Sequence, residues 1–221
     1  MRLILIGPPG SGKGTQAKLL SERLGLAHIA TGDIFREAVR RGTPAGKMAE
    51  PFVRTGKLVP DHLVNELVAE RFCRPDHPDR FVMDGYPRTL VQAKSFDQTL
   101  RPQSLNVQAV MLLEVDDEEI VRRLSGRWSC PNTTCKATFH TTMNPPRNPG
   151  FCDNCQTKLI QRDDDREETI RRRLSVYHQN TAEVIGHYRS QGLLHEVPGK
   201  GAIESIYSQI IQAIQRAVPS C

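Results

Sequence analysis

Two groups of residues in this sequence have the types and spacing to do chemistry. The first is Gly7–Thr15, GPPGSGKGT, between an apolar run, Leu3–Ile6, and a helical pattern, Gln16–Leu24. It fits G-x-x-x-x-G-K-[ST], with the last pair extended to Lys13-Gly14-Thr15. A strand, a glycine-rich turn and a helix in that order form a phosphate cradle. Gly10, Gly12 and Gly14 release the backbone from the limits that a Cβ imposes. Successive N–H groups can then curl around an anion, and the positive end of the helix faces the same place. Lys13 puts a compact charge on β- and γ-phosphates, and the Thr15 hydroxyl reaches phosphate or Mg²⁺.

The second group is Cys130-x4-Cys135 followed by Cys152-x2-Cys155. Two knuckles separated by 16 residues follow zinc-ribbon logic. Four thiolates make a closed tetrahedral structural site with no open position for catalysis. A pair of disulfides is the alternative, which a cytosolic setting disfavours. The first knuckle is longer than the usual two-residue spacing, so another tetrahedral metal stays open. Cys73 and Cys221 are isolated and read as incidental.

Arginines supply the remaining chemistry. Thr31-Gly32-Asp33-Ile34-Phe35-Arg36 and Asp84-Gly85-Tyr86-Pro87-Arg88 each follow a strand-like run, which places both on the sheet edge that carries the phosphate loop. Each delivers one guanidinium, whose fork matches phosphate oxygens. Asp84, at the end of an apolar strand, stands where a carboxylate would hold Mg²⁺ or its water shell, and Asp33 is a second candidate. Arg123 and Arg127 lie four residues apart as the helix from Asp116 runs out. Arg162 and Arg173 come after the cysteine module. A site collecting Arg36, Arg88, Arg127, Arg162 and Arg173 suits phosphoryl transfer, which depends on positioning and on stabilising charge. A phosphate oxygen needs no protein base, and the seven histidines have no triad-like context.

The elements that must position these groups alternate. Strand-like runs are Leu3–Ile6, Ala27–Ile29, Phe81–Met83, Val107–Val115 and Leu193–Val197, with helical patterns between them. The pattern predicts an α/β fold, a parallel sheet covered on both faces. Two stretches break the rhythm. Residues 31–59 insert short helices over Ile34–Arg40 and Pro44–Arg54, and then Thr55-Gly56-Lys57-Leu58-Val59. Residues 127–162 lose helical periodicity and read as a strand-poor flap stapled by the cysteines. The longest helix is expected from Asp164 to Arg189, with a buried stripe of Ile170, Leu174, Tyr177, Thr181, Val184/Ile185 and Tyr188. Asp163, Asp164 and Asp165 suit its positive end. A final helix, Ala202–Arg216, is expected to close the sheet through Ile203, Ile206, Ile210 and Ile214.

Length and composition set the bounds. The 221 residues, 38% hydrophobic and 25% charged, are ordinary for a globular α/β protein with insertions. No apolar run approaches the ~20 residues that span a bilayer, and Met1 runs straight into a strand, so a cytoplasmic protein without a leader is expected. A net charge of +5 fits an anionic partner without choosing between nucleotides and nucleic acid.

Taken together, GPPGSGKGT, TGDIFR, DGYPRT with Gln92 beyond it, Gly126-Arg127, the NPP at 144–146, the cysteine quartet and RDDD…EETIRRRL resemble adenylate kinase of the long form with a metal-binding lid. The resemblance covers the whole chain. It implies a CORE of 1–29, 60–125 and 164–221, an AMP-binding insert of 30–59 and a LID of 126–163. It implies reversible transfer from Mg·ATP to AMP, giving two ADP, by a monomer. Carried over by position, Gly10, Ser11, Gly12, Lys13, Gly14 and Thr15 hold the ATP phosphates, while Arg123, Phe139 and the backbone near Lys200 surround its adenosine. Thr31, Gly32, Arg36, Lys57, Leu58, Val59, Gly85, Arg88 and Gln92 hold AMP, with Gln92 reading the adenine. Arg88, Arg127, Arg162 and Arg173 join Lys13 on the transferring group, and Asp164 and Asp165 lie at the lid hinge. Tyr86 stands where the family more often has Phe. Two alternatives are a kinase of another nucleoside monophosphate and a zinc-ribbon nucleic-acid binder with an ATPase core. Against the second stand the absence of any polybasic run beyond three residues and a flap whose rings are Phe139, Phe151 and, at its root, Trp128.

Overall fold

The computed structural model describes residues 1–135 and 137–217; Cys221 lies outside them. In chain order the elements are β1 (Arg2–Ile6), α1 (Lys13–Leu24), β2 (Ala27–Ala30), α2 (Thr31–Arg40), α3 (Pro44–Thr55), α4 (Asp61–Cys73), β3 (Phe81–Asp84), α5 (Leu90–Leu100), β4 (Ala109–Glu114), α6 (Asp117–Ser125), β5 (Arg127–Ser129), β6 (Thr138–His140), α7 (Glu167–Ser190), β7 (Leu194–Pro198) and α8 (Ile203–Ala217). The main sheet is parallel with strand order β2-β3-β1-β4-β7, as the alternation predicts. From β1 the chain crosses to the edge strand β2, returns as β3 between the two, and then adds β4 and β7 on the other side of β1. The crevice beside the C-terminal end of β1 is therefore where such a sheet takes a ligand.

Side-chain alternation divides the core. Ile4, Ile6, Phe81, Met83, Val110 and Leu112 point to the face covered by α4, α5 and α7, where Phe72, Phe81 and Phe96 meet edge to face. Leu3, Leu5, Val82, Met111 and Leu113 point to the face covered by α1 and α8. Burial on both faces explains why these strands read as unbroken apolar runs.

The cysteine module forms a two-stranded antiparallel sheet, β5 with β6, extended by isolated bridges Ser129↔Ile160 and Phe151↔Lys158. Its small core is Cys130, Phe139, Cys152 and Leu159.

Four sequence expectations need correction. The long helix does not start at Asp164. Asp163–Asp165 form a 3-10 turn, Arg166 is extended at ψ 140°, and α7 begins at Glu167. The turn buries Asp164 and Asp165 against arginines instead of leaving them on a helix end. Arg123 and Arg127 do not share a helix: α6 ends at Ser125 and Arg127 opens β5. Gly14 does not have a backbone reserved for glycine. Gly10 and Gly12 do, at φ +83° and +97°, whereas Gly14 sits in α1, where a Cβ would come 3.2 Å from Asp84 Oδ2. Ile203 is 53% exposed at the start of α8, and its carbonyl accepts from Gln16 Nε2; Ile206, Ile210 and Ile214 do the packing.

Candidate active site

Helix α1 starts directly after Gly12 with no side-chain cap, so its first-turn N–H groups are turned toward the loop. The Lys13 ammonium donates to the carbonyls of Gly7 and Pro8, each at 2.8 Å, and lies 3.4 Å from Ser11 Oγ. Burial lowers its pKa to about 7; Asp84 opposes the drop, while Arg88, Arg173 and Arg127 add to it. Three guanidinium groups are thus close enough to the ammonium to act on it electrostatically.

Each of those arginines comes from a different element. Arg88 follows β3, and its Nε donates to Gly85 O at 2.7 Å. Arg127 opens β5 and makes a two-pronged contact with Asp165, Nε to Oδ2 at 2.8 Å and Nη2 to Oδ1 at 2.5 Å. Arg173, on the second turn of α7, donates to Asp164 Oδ2 at 2.9 Å and lies 3.8 Å from Asp165. Arg162 donates to Ser129 Oγ at 3.0 Å. Arg36 donates to Asp33 at 2.6 Å and approaches Asp164 at 3.9 Å. Burial lowers Arg88 and Arg162 to about 10, with Arg173 acting further on Arg88, and Arg36 and Arg127 on Arg162. At about 10, Arg88 and Arg162 remain cationic at neutral pH. Burial works against ionised Asp164, yet Arg173, Arg36, Arg127 and Arg162 together hold it below the usual carboxylate range. The cluster is thus a cationic pocket with two buried carboxylates inside it.

Beside it opens a cleft lined by Thr31, Gly32, Arg36, Lys57, Leu58, Val59, Gly85, Arg88, Gln92 and Arg173, with Phe35, Val53 and Val64 as its apolar wall. The Thr31 hydroxyl donates to Gly85 O at 3.0 Å and ties the ends of β2 and β3 together there. A lining that combines guanidinium and amide groups with an apolar wall suits a ligand with a phosphate and a planar base.

The remaining expected residues are placed as follows. Asp84 faces the phosphate loop and lies 3.5 Å from His28 Nε2. Arg123 donates to Glu119 at 2.7 Å. Lys200 pairs with Asp116 beside the C-terminal end of β4. Phe139 is buried in the cysteine module.

In the cysteine quartet, Cys130 and Cys155 Sγ are 3.4 Å apart, Cys135 and Cys152 Sγ are 3.6 Å apart, and all four lie within 4.8 Å of one another. A disulfide needs about 2.05 Å, so the paired-disulfide alternative does not hold. Four thiolates at about 2.3 Å from a tetrahedral Zn²⁺ would stand roughly 3.8 Å from each other. The quartet is compatible with such an ion.

Comparison with known proteins agrees with this geometry. The family model described as adenylate kinase matches residues 5–193. The adenylate kinase of Moorella thermoacetica is 46% identical over 216 residues, covering 98% of this chain and 99% of that one. That of Syntrophotalea carbinolica is 47% identical, with 97% and 98% covered, and that of Methanothrix thermoacetophila 44%, with 98% and 99% covered. The chain belongs to the adenylate kinase family. Its activity is ATP:AMP phosphotransfer, and adenylate kinases use ATP as its Mg²⁺ complex.

Sequence reasoning about this adenylate kinase missed Asp61. This residue opens α4 and reads as an ordinary helix N-terminal acid, yet it accepts from both Gln92 and Thr89. It also missed that Asp164 and Asp165 already engage the arginines. Among the described residues no helix is long and apolar enough to cross a membrane.

Proposed function

We propose that the phosphate loop takes ATP, that the cleft beside it takes AMP, and that the arginine cluster neutralises the phosphoryl group passing between them. The single observation that carries this is convergence: Arg127 from β5 and Arg173 from α7 both engage Asp165, and Arg173 lines one cleft with Arg36 and Arg88. In this scheme Gly10–Thr15 cradle the ATP phosphates through their N–H groups. Lys13 leaves the Gly7 and Pro8 carbonyls for the β/γ-oxygens. Arg36 and Arg88, which line the cleft, hold the AMP phosphate. Its base lies toward Gln92 between the apolar walls and the Lys57-Leu58-Val59 strip. Arg127, Arg162 and Arg173 meet the transferring group, so charge that builds there finds donors already in position. The attacking AMP oxygen is ionised at neutral pH, and no side chain has to remove a proton.

Mg²⁺ bound with ATP would supply charge neutralisation across the β- and γ-oxygens; Asp84 beside Gly14 fits its water shell, with Asp33 as the second candidate. Arg123, Phe139 and Lys200 are assigned to the ATP adenosine. The units are the CORE, 30–59 as the AMP insert and 126–163 as the LID, with Zn²⁺ in the LID's cysteine quartet holding a module whose own core is four residues. The protein acts as a cytoplasmic monomer on ATP, AMP and ADP, without nucleic acid.

The test is turnover with ATP and AMP, GMP, CMP or UMP, beside Lys13→Ala. AMP is expected to be strongly preferred. Lys13→Ala is expected to lower kcat by about 10²–10³-fold, as when one preorganised electrostatic donor is removed, with the circular dichroism spectrum unchanged. Equal turnover of a pyrimidine acceptor, or a Lys13→Ala enzyme within a few-fold of the parent, refutes the assignment.

A further inference from the structure

Gln92 is 2% exposed as a residue, and its side-chain amide is held from both ends. Its Oε1 accepts from the Arg88 backbone N–H at 2.8 Å, and its Nε2 donates to Asp61 Oδ1 at 2.7 Å. The other oxygen of Asp61 accepts from the Thr89 hydroxyl at 3.0 Å. Thr89 Oγ1 in turn accepts from the Gln92 backbone N–H at 3.2 Å, capping α5. Every direction in this ring is forced. A backbone N–H only donates, and an ionised carboxylate only accepts. Turning the Gln92 amide over would set N–H against N–H at Arg88 and oxygen against oxygen at Asp61. An amide oxygen has two lone pairs and an amide nitrogen two hydrogens, so each end keeps one further site, and Gln92 lines the cleft.

We propose that Asp61 is the positioning residue that makes this cleft prefer adenine to 6-oxopurines. The inference rests on the assignment of AMP to the cleft with its base at Gln92. Adenine offers an N6 donor beside an N1 acceptor. Hypoxanthine and guanine offer the reverse, an O6 acceptor beside an N1–H donor. An amide free to turn over would pair with either. An amide locked by Asp61 presents oxygen and N–H in one order, which pairs with adenine and sets like against like for a 6-oxopurine. A site that leaves buried polar groups unpaired with the wrong ligand discriminates far more strongly than one that relies on shape.

The test measures kcat and KM for AMP and for IMP, with saturating ATP, in the parent, Asp61→Asn, Asp61→Glu and Gln92→Ala, with thermal melts to establish folding. Asp61→Asn keeps the shape but can turn either an oxygen or an N–H toward Gln92, so the order of the Gln92 amide is no longer forced. It is expected to lower the AMP-over-IMP ratio of kcat/KM about tenfold, the scale of one hydrogen bond to a charged group, with the loss on AMP falling on KM more than on kcat. Asp61→Glu, still acceptor-only, is expected to restore most of the ratio. Asp61→Ala should shift the ratio the same way and replaces Asp61→Asn if that variant does not fold. An equal fall on AMP and IMP, or an unchanged ratio in both Asp61→Asn and Asp61→Ala while Gln92→Ala collapses it, overturns the role of Asp61. A parental ratio in Gln92→Ala instead overturns the assignment of the base to Gln92, and the inference with it.

Discussion

Asp165→Asn is the perturbation that probes the cationic cluster most directly. The Asp165 side chain is fully buried and carries the two-pronged contact with Arg127, with Arg173 a further 3.8 Å away. Asparagine keeps the volume but removes the charge, and it turns an N–H donor toward a guanidinium that only donates. Breaking a buried ion pair from one side costs about 3–5 kcal/mol, because the remaining charge is left without compensation. Arg127 keeps 20% of its side-chain surface in water, which places the expected loss near the low end, about 3 kcal/mol. For a domain of this size that is a fall in Tm of roughly 6–12 °C. Urea titration of the free enzyme gives the loss directly. The same titration with saturating Mg·ATP is the decisive arm. If Arg127 meets nucleotide phosphate, the ligand replaces the missing negative charge, and the penalty should shrink to about half or less by linkage. A loss below about 1 kcal/mol in the free enzyme would show that the pair is screened by solvent. An equal loss with and without Mg·ATP would show that Arg127 does not face the nucleotide. Either result refutes the reasoning.

Three further outcomes are expected. Chelation of the ion proposed for the cysteine quartet, or Cys152→Ser, should lower Tm and release close to one equivalent of metal; metal-free protein with the parental Tm would contradict a structural Zn²⁺ site. Burial holds Lys13 near 7 in the free protein, and polyphosphate raises it again, so ATP binding should take up a proton near pH 7–8 and almost none at pH 6; calorimetry in buffers of different ionisation enthalpy reads this, and equal uptake at both pH values would contradict it. Tyr86→Phe should cost about 1 kcal/mol in urea titration, because the Tyr86 hydroxyl lies 3.0 Å from Asn65 Oδ1 and 3.1 Å from Gln92 O; no loss would show that those contacts carry nothing.

Much of this protein could be read one residue at a time. The phosphate loop depends on local chemistry, glycines and a lysine between a strand and a helix, and it forms wherever that string occurs in that context. Apolar runs separated by helical periodicity were enough for the parallel sheet, because a strand buried on both faces shows no alternation. Cysteine spacing was enough to bring four thiols together, since the two knuckles are short and the chain between them has no competing core.

Partner choice was not legible in the same way. Nothing local tells Asp61 to hold Gln92, 31 residues away, or Arg127 to meet Asp165 rather than continue α6. Burial of Asp164 and Asp165, the break at Arg166 and the close approach of Asp84 to Gly14 follow from how strand ends, the cysteine module and α7 crowd one sheet edge. Periodicity reports which face of an element is buried, not what it is buried against. Charged side chains reach several ångströms and pair only once packing has excluded the water that would otherwise solvate them. For that reason the cationic cluster and the locked amide exist only in the folded chain, although every residue in them is visible in the sequence.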